Sequence, residues 1–286
     1  VRRWQDVGLV LLALSTAALV WTAFRALDVV PAAAPMIAAD LGAGIPDEAG
    51  ATTRPAAPSA AGAVTQSPTA TDPLLRARSV LDRQDRTVVL VLGDSTGNDR
   101  GEWTYRWAEA LAGSRPTAIA PWNEWTEDGY VEAEVLSGEG TGDPGLGEVL
   151  VLSGSQTGAR AGYAATRMEL LAPEVPDLVI LNLGHNNEVG DVADELQDTV
   201  DALRSRVGDE VPVLVTLQQP QAGDQNAEVR AAVARWAQQE GLATIDVAER
   251  FLSQGEPETL LTDAVHPNDE GSALWAEVVG DALEAP

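Results

Sequence analysis

Ser95 closes a Gly93-Asp94-Ser95 triplet that directly follows the apolar run of residues 87–92. A serine on the turn leaving a buried strand has its hydroxyl at the carboxyl edge of a sheet, where a following helix N-terminus favours developing negative charge. Such a serine could be a nucleophile; the plainer role of the same residues is a turn or helix cap. Asp263 stands three residues before His266 in Asp263-Ala264-Val265-His266-Pro267. A carboxylate at that spacing can accept the imidazole Nδ1–H and leave Nε2 free to deprotonate a serine. A loop histidine before proline can equally be no more than exposed. Two further segments could donate to an oxyanion: Gly184-His185-Asn186-Asn187 through an asparagine amide, and residues 154–158 through a backbone N–H of Gly158 or Gly154. Asn186 and Asn187 could instead cap the next helix.

Composition narrows what else the chain can do. His185 and His266 are its only histidines, so any acid–base chemistry by imidazole near neutral pH uses one of them. All 18 basic residues are arginine, which leaves no lysine for a Walker-type phosphate loop or a Schiff base. The absence of cysteine excludes thiol nucleophiles, disulfides, thiolate zinc sites and cysteine-ligated iron–sulfur clusters. A net charge of −26 repels nucleic-acid phosphates, so no nucleic-acid partner is expected. Residues 86–286 hold 11 arginines and 36 acids, and therefore nearly all of that charge. An acidic surface of this kind mainly favours solubility.

The elements that must position these residues lie within 86–286. Continuous, β-branched-rich apolar runs at residues 87–92, 147–152, 177–183, 211–217 and 242–247 read as buried strands. Helical patterns fall between and after them, at residues 102–112, 159–171, 191–206, 226–239 and 269–283. Strand–helix alternation over this length predicts a three-layer α/β/α domain with a parallel sheet, and ligand sites in such sheets lie beyond the strands' carboxyl ends. Residues 122–146, rich in glycine, acids and tryptophan, predict an irregular excursion near one edge.

The N-terminal part reads differently. The uncharged, mainly apolar run of residues 7–24 would span about 27 Å as a helix, near the thickness of a bilayer core. Residues 1–25 are therefore expected to be a membrane anchor, with Arg2 and Arg3 before the run favouring a cytoplasmic N-terminus and an extracytoplasmic domain. A cleaved signal peptide, with Ala32-Ala33-Ala34 as its small-residue site, is the rival. Residues 26–85, rich in alanine, proline and threonine, read as a disordered linker, with a short helical piece near residues 73–83 leading into the domain.

Serine, glycine, asparagine and aspartate–histidine thus follow one another at strand ends and in the final loop. That order resembles the SGNH hydrolase family, also called GDSL-type esterases and lipases, over about residues 86–286. Its blocks correspond to Gly93-Asp94-Ser95, Gly158, Gly184-His185-Asn186 and Asp263–Pro267. The resemblance implies an SGNH or flavodoxin-like sheet, with Ser95 as nucleophile, His266 as general base and Asp263 as its orienter. It also implies an oxyanion hole made by the backbone N–H groups of Ser95 and Gly158 and the amide of Asn186. Three positions depart from the family's pattern: Thr96 where leucine is common, Asn187 where aspartate is usual, and Ser153 where asparagine is common. The last leaves the choice between Gly158 and Gly154 open.

The chemistry so implied is hydrolysis of carboxylic esters through an acyl-enzyme, with no cofactor and no metal. Acyl groups on envelope glycans, lipids or small molecules are the expected substrates, and Trp103, Trp107, Trp122 and Trp125 could offer sugar-stacking surface, although packing is the plainer role of each. The alternatives are an O-acyltransferase using the same triad and a catalytically silent module that binds glycans or a partner. A metal-dependent phosphoesterase fits poorly, because two histidines and scattered acids make a weak dinuclear site.

Overall fold

The computed structural model describes residues 73–137, 143 and 145–284. The apolar run of residues 7–24 and nearly all of the expected linker lie outside the described residues. Among the described residues no helix is long and apolar enough to cross a membrane.

The chain enters through α1 (Pro73–Leu81), which buries Ala77, Val80 and Leu81. Residues 73–85 therefore belong to the packed domain and not to the linker, and Arg83 fixes the entry by pairing with Asp177 at 2.8 Å. A seven-stranded sheet follows, built from β1 (Thr87–Gly93), β2 (Thr117–Pro121), β3 (Glu134–Val135), β4 (Val149–Ser155), β5 (Leu178–Asn182), β6 (Val213–Leu217) and β7 (Ala243–Asp246). Its order is β3-β2-β4-β1-β5-β6-β7, parallel throughout except for β3, which runs against β2. The expected three-layer, mainly parallel architecture is present. The order differs from the 2-1-3-4-5 of a flavodoxin-like sheet, because β4 is inserted between β1 and β2.

β1 is buried on both faces and explains why its run has no polar alternation. Leu90 and Leu92 pack with β5, β6 and the helices α4 (Val192–Val207) and α5 (Ala227–Gln239) through Leu196, Leu203 and Trp236. Val89 and Val91 face the other layer, formed by α1, α2 (Trp103–Ala112) and α7 (Asp269–Leu283). There the Trp103 and Trp275 rings stack at 5.6 Å, and Phe251 of α6 (Val247–Leu252) meets Trp275 edge-on at 6.4 Å.

One expected helix is largely missing. Of residues 159–171 only α3 (Met168–Leu171) is α-helical; the rest is a succession of turns. Within these turns Asn187 Oδ1 accepts the Ala161 N–H at 2.8 Å and Glu195 Oε2 the Gly162 N–H at 3.1 Å, which ties the segment to the loop after β5 and to α4.

Candidate active site

Ser95 lies immediately after β1, Gly158 just beyond β4 and Asn186 just beyond β5. β1 is hydrogen-bonded to both β4 and β5, so three of the sequence-predicted residues rise from the carboxyl ends of adjacent strands. His266 and Asp263 come from the loop that precedes α7. Asn268 terminates that loop by capping the helix, its Oδ1 accepting the N–H groups of Glu270 and Gly271 at 3.0 Å each.

Three of the five groups are hydrogen-bonded in series. His266 Nε2 lies 2.9 Å from Ser95 Oγ, and His266 Nδ1 lies 2.8 Å from Asp263 Oδ2. The other carboxylate oxygen of Asp263 accepts the N–H groups of Val265 and His266, both at 2.8 Å. These two backbone bonds, then the imidazole, hold the exposed Asp263 carboxyl at about 2. Asp263 is thus ionised over the whole range in which imidazole titrates, and it faces a ring whose other nitrogen meets the serine.

Asn186 Nδ2 donates one proton to the carbonyl of Ala159 at 2.9 Å, which joins the asparagine to the residue after Gly158. Gly158 is exposed and has φ +69°, a left-handed conformation that suits glycine. Gly154 sits inside β4, paired with Leu92, with a Cβ position only 3.0 Å from Leu171 Cδ2 and 3.1 Å from the Val91 carbonyl. Of the two glycines, Gly158 is at the sheet edge and Gly154 is a buried packing position.

His185 lies in the same neighbourhood but is occupied otherwise. Its Nε2 donates to the Gln219 carbonyl at 3.1 Å, and burial pushes its pKa below the ordinary histidine value.

Sequence reasoning missed the layer beneath the serine. Asp94 is fully buried; its Oδ1 accepts the Thr96 N–H at 3.1 Å and the Thr96 hydroxyl at 2.7 Å, and its Oδ2 accepts Gln218 Nε2 at 2.8 Å. Thr96 Oγ1 in turn accepts Asn182 Nδ2 at 3.1 Å, and Asn182 Oδ1 accepts the Thr216 hydroxyl at 2.6 Å. The hydroxyl at position 96 is therefore a working member of a buried network, which accounts for its departure from leucine. Gln219 Nε2 reaches the Val265 carbonyl at 2.6 Å, and the Ala222 N–H reaches Ala264 at 2.8 Å, tying the loop after β6 to the Asp263–His266 loop. The one available signal was position: Gln218 and Gln219 directly follow a strand at its carboxyl end.

Glu102, at the N-cap of α2, accepts the Asp99 N–H at 2.8 Å. Burial raises its carboxyl to about 7 against the opposing effect of the Asp99 backbone N–H bond; the Asp99 charge adds less to the rise, and the Asn98 N–H and His266 oppose it. Of the four tryptophans considered above, Trp103, Trp107 and Trp122 are core residues, whereas Trp125 is 98% exposed.

Fold and site together define a serine hydrolase of the parallel α/β class. The sequence matches the GDSL-like Lipase/Acylhydrolase family over residues 91–274, well over half of the chain. The chain belongs to this family and is a serine carboxylic ester hydrolase. No curated protein matches it. Among solved structures it is similar to a two-domain esterase (CEX) active on acetylated mannans, with 15% identity and TM-score 0.53 over 74% of this chain and 52% of that one. It thus spans about half the length of that esterase. An acetyl esterase mutant holding an acetate ion gives 20% identity and TM-score 0.49 over 69% of this chain and 96% of that one. A member of the lipolytic G-D-S-L family from Veillonella parvula gives 15% and 0.47 over 68% and 97%. At 15% identity the likeness to the mannan esterase establishes the fold alone.

Proposed function

We propose that the chain removes acyl groups from glycan hydroxyls through Ser95, His266 and Asp263. The observation that carries this reading is the continuous hydrogen-bond path from Ser95 Oγ through both nitrogens of His266 to Asp263. Ser95 Oγ bonds to the ester carbonyl carbon as its proton passes to His266 Nε2. The carbonyl becomes an oxyanion, to which the N–H groups of Ser95 and Gly158 and the second amide proton of Asn186 donate. The ester C–O bond then breaks, and the sugar alcohol leaves with the proton from His266. Water attacks the acyl-enzyme, again losing a proton to Nε2; the acid departs and Ser95 regains its hydrogen.

Two features favour a polar alcohol over a long acyl chain. The open groove that starts at Gly158 is lined by Gln156, Thr157, Arg160, Tyr163, Arg167 and Glu195, a surface suited to hydroxyl-rich ligands. Trp125 stands free in solvent on the hairpin beside Thr157 and offers a flat face to a pyranose ring. The similar fold of the acetylmannan esterase supports the same class of substrate. The apolar run of residues 7–24 supports an extracytoplasmic setting, tethered to a membrane or secreted after cleavage.

The test is a screen of the chain and its Ser95→Ala variant on acetylated oligosaccharides, short-chain aryl esters and long-chain esters. Acetate release from the oligosaccharides, abolished in Ser95→Ala with the fold intact, is the expected result. Preference for long-chain esters would overturn the glycan assignment, and full activity in Ser95→Ala would overturn the nucleophile. Lack of labelling of the chain by a fluorophosphonate would mark a silent module.

A further inference from the structure

The Trp122–Tyr130 hairpin bears on the loop that carries Gly158. Its base is rigid: the Trp122 N–H donates to Ser153 at 2.8 Å, the Asn123 N–H donates to Gly129 at 2.9 Å, and the buried Trp122 ring meets Tyr130 edge-on at 5.6 Å. From this base Glu124 reaches two loops at once. Its Oε1 accepts the Thr157 N–H at 2.7 Å and Asn98 Nδ2 at 2.9 Å, and its Oε2 accepts the Thr157 hydroxyl at 2.9 Å. Asn98 Nδ2 closes the ring by donating to Thr157 Oγ1 at 3.0 Å. Asn98 stands three residues after Ser95, and Thr157 immediately before Gly158.

The Thr157–Gly158 peptide is consequently held between two anchors, Glu124 on one side and the Asn186–Ala159 bond on the other. A backbone N–H stabilises an oxyanion only if it already points at the place where that charge forms, and errors near 1 Å cost about 100-fold in rate. Charge-assisted bonds to a carboxylate are among the stronger restraints available to an exposed loop. We infer that Glu124 is a positioning residue that sets the Gly158 N–H relative to Ser95 by clamping Thr157 and Asn98 together. The inference rests on the esterase reading above; Glu124 itself touches no reacting atom.

The experiment measures kcat and KM for p-nitrophenyl acetate, and Ki for methylboronic acid, in the whole chain and in Glu124→Ala and Glu124→Gln. A boronate bonded to Ser95 is tetrahedral and anionic, so it reports the oxyanion donors, while KM for the neutral ester does not. We expect kcat to fall about 100-fold in Glu124→Ala and about 10-fold in Glu124→Gln, whose amide oxygen still accepts the Thr157 N–H, with KM within about threefold. The boronate Ki should rise by the same factors as kcat falls. If Glu124→Ala fails to fold, the Gln variant carries the test. Wild-type kcat in the folded variants, or a loss of kcat with an unchanged boronate Ki, would overturn the inference while leaving the esterase reading in place. A wild-type chain inert toward every ester would overturn that reading and this one with it.

Discussion

The side-chain amide of Asn187 donates to Glu195 Oε2 at 2.8 Å while its oxygen accepts the Ala161 N–H at 2.8 Å. Aspartate is usual at this position in the family, and an aspartate here could satisfy Ala161 but would set a carboxylate against Glu195, with Asp191 close behind at 3.5 Å. Arg160 pairs with both of those acids, so the cluster already has its cation, and the amide supplies the remaining donor. The departure at position 187 is thus matched to Glu195.

Asn187→Asp is accordingly expected to destabilise the fold by about 1–3 kcal/mol at neutral pH, the range for breaking a buried hydrogen bond and leaving like charges in contact. Urea unfolding checks this. Asn187→Asp combined with Glu195→Gln should recover part of the loss, because the donor is then on the other partner while the Gly162 N–H loses the acceptor that Glu195 Oε2 provides; no recovery would mean that the two residues are not coupled.

Much of this arrangement is legible in the sequence. The strands at β1, β4, β5, β6 and β7 announce themselves as continuous apolar runs, and the residues after three of them are the candidate groups. β2 escaped notice because Thr-Ala-Ile-Ala-Pro carries two alanines and ends in proline, a weak strand signature. α6 was missed for a different reason: Asp246 is at once the last residue of β7 and the cap of the helix, accepting the Glu249 N–H at 2.8 Å, so no loop separates the two. The network of Asp94, Thr96, Asn182, Thr216 and Gln218 could not be read at all, since it exists only where three strands converge. The same holds for Glu124, whose partners are 26 and 33 residues away.

Asp263 is held near 2 chiefly by two backbone N–H groups, and those groups would remain satisfied by an amide oxygen. Asp263→Asn should therefore leave the loop conformation in place but set an amide NH2, a donor, against His266 Nδ1, favouring the tautomer whose Nε2 carries the proton and cannot accept that of Ser95. We expect kcat to fall by about 10³–10⁴ with little change in KM, as for a serine hydrolase whose imidazole loses its orienting charge. The stability effect has a defined direction. A carboxyl whose folded pKa is depressed contributes stability above its unfolded value of about 4, and that contribution fades as pH falls toward 2. Thermal melts of both proteins should converge below pH 2; a constant gap across that window would count against the bonds described.

Glu102 has the opposite sign. Its folded pKa of about 7 lies above the ordinary value of 4.5, so between those values the unfolded chain releases a proton that the folded chain keeps. Stability then declines as pH rises from about 4.5 to 7, and remains lower above 7. Glutamine can still accept the Asp99 N–H but carries no charge to desolvate. Glu102→Gln should gain melting temperature relative to wild type as pH rises from 4 to 8, and a pH-independent difference would show that burial does not control this carboxyl.

Gly154 inside β4 and Gly158 in the loop after it should fail in opposite ways when given a methyl group. At Gly154 the added carbon would lie about 3 Å from Leu171, the Tyr130 hydroxyl and the Val91 carbonyl, inside a sheet that cannot open without disturbing β1. Overpacking of that kind costs about 1–3 kcal/mol, so Gly154→Ala should lower the melting temperature and leave the turnover of the folded fraction near wild type. At Gly158 no atom stands within 4 Å of the new carbon, but the residue's φ of +69° disfavours any side chain. The backbone relieves that strain, worth about 1–2 kcal/mol, by rotating, and rotation turns the N–H away from the position where it serves the oxyanion. Gly158→Ala should thus reduce kcat by at least about tenfold, with a smaller loss of stability than Gly154→Ala. If Gly154→Ala were the variant that lost turnover while keeping its stability, the oxyanion donor would have to be reassigned to the strand.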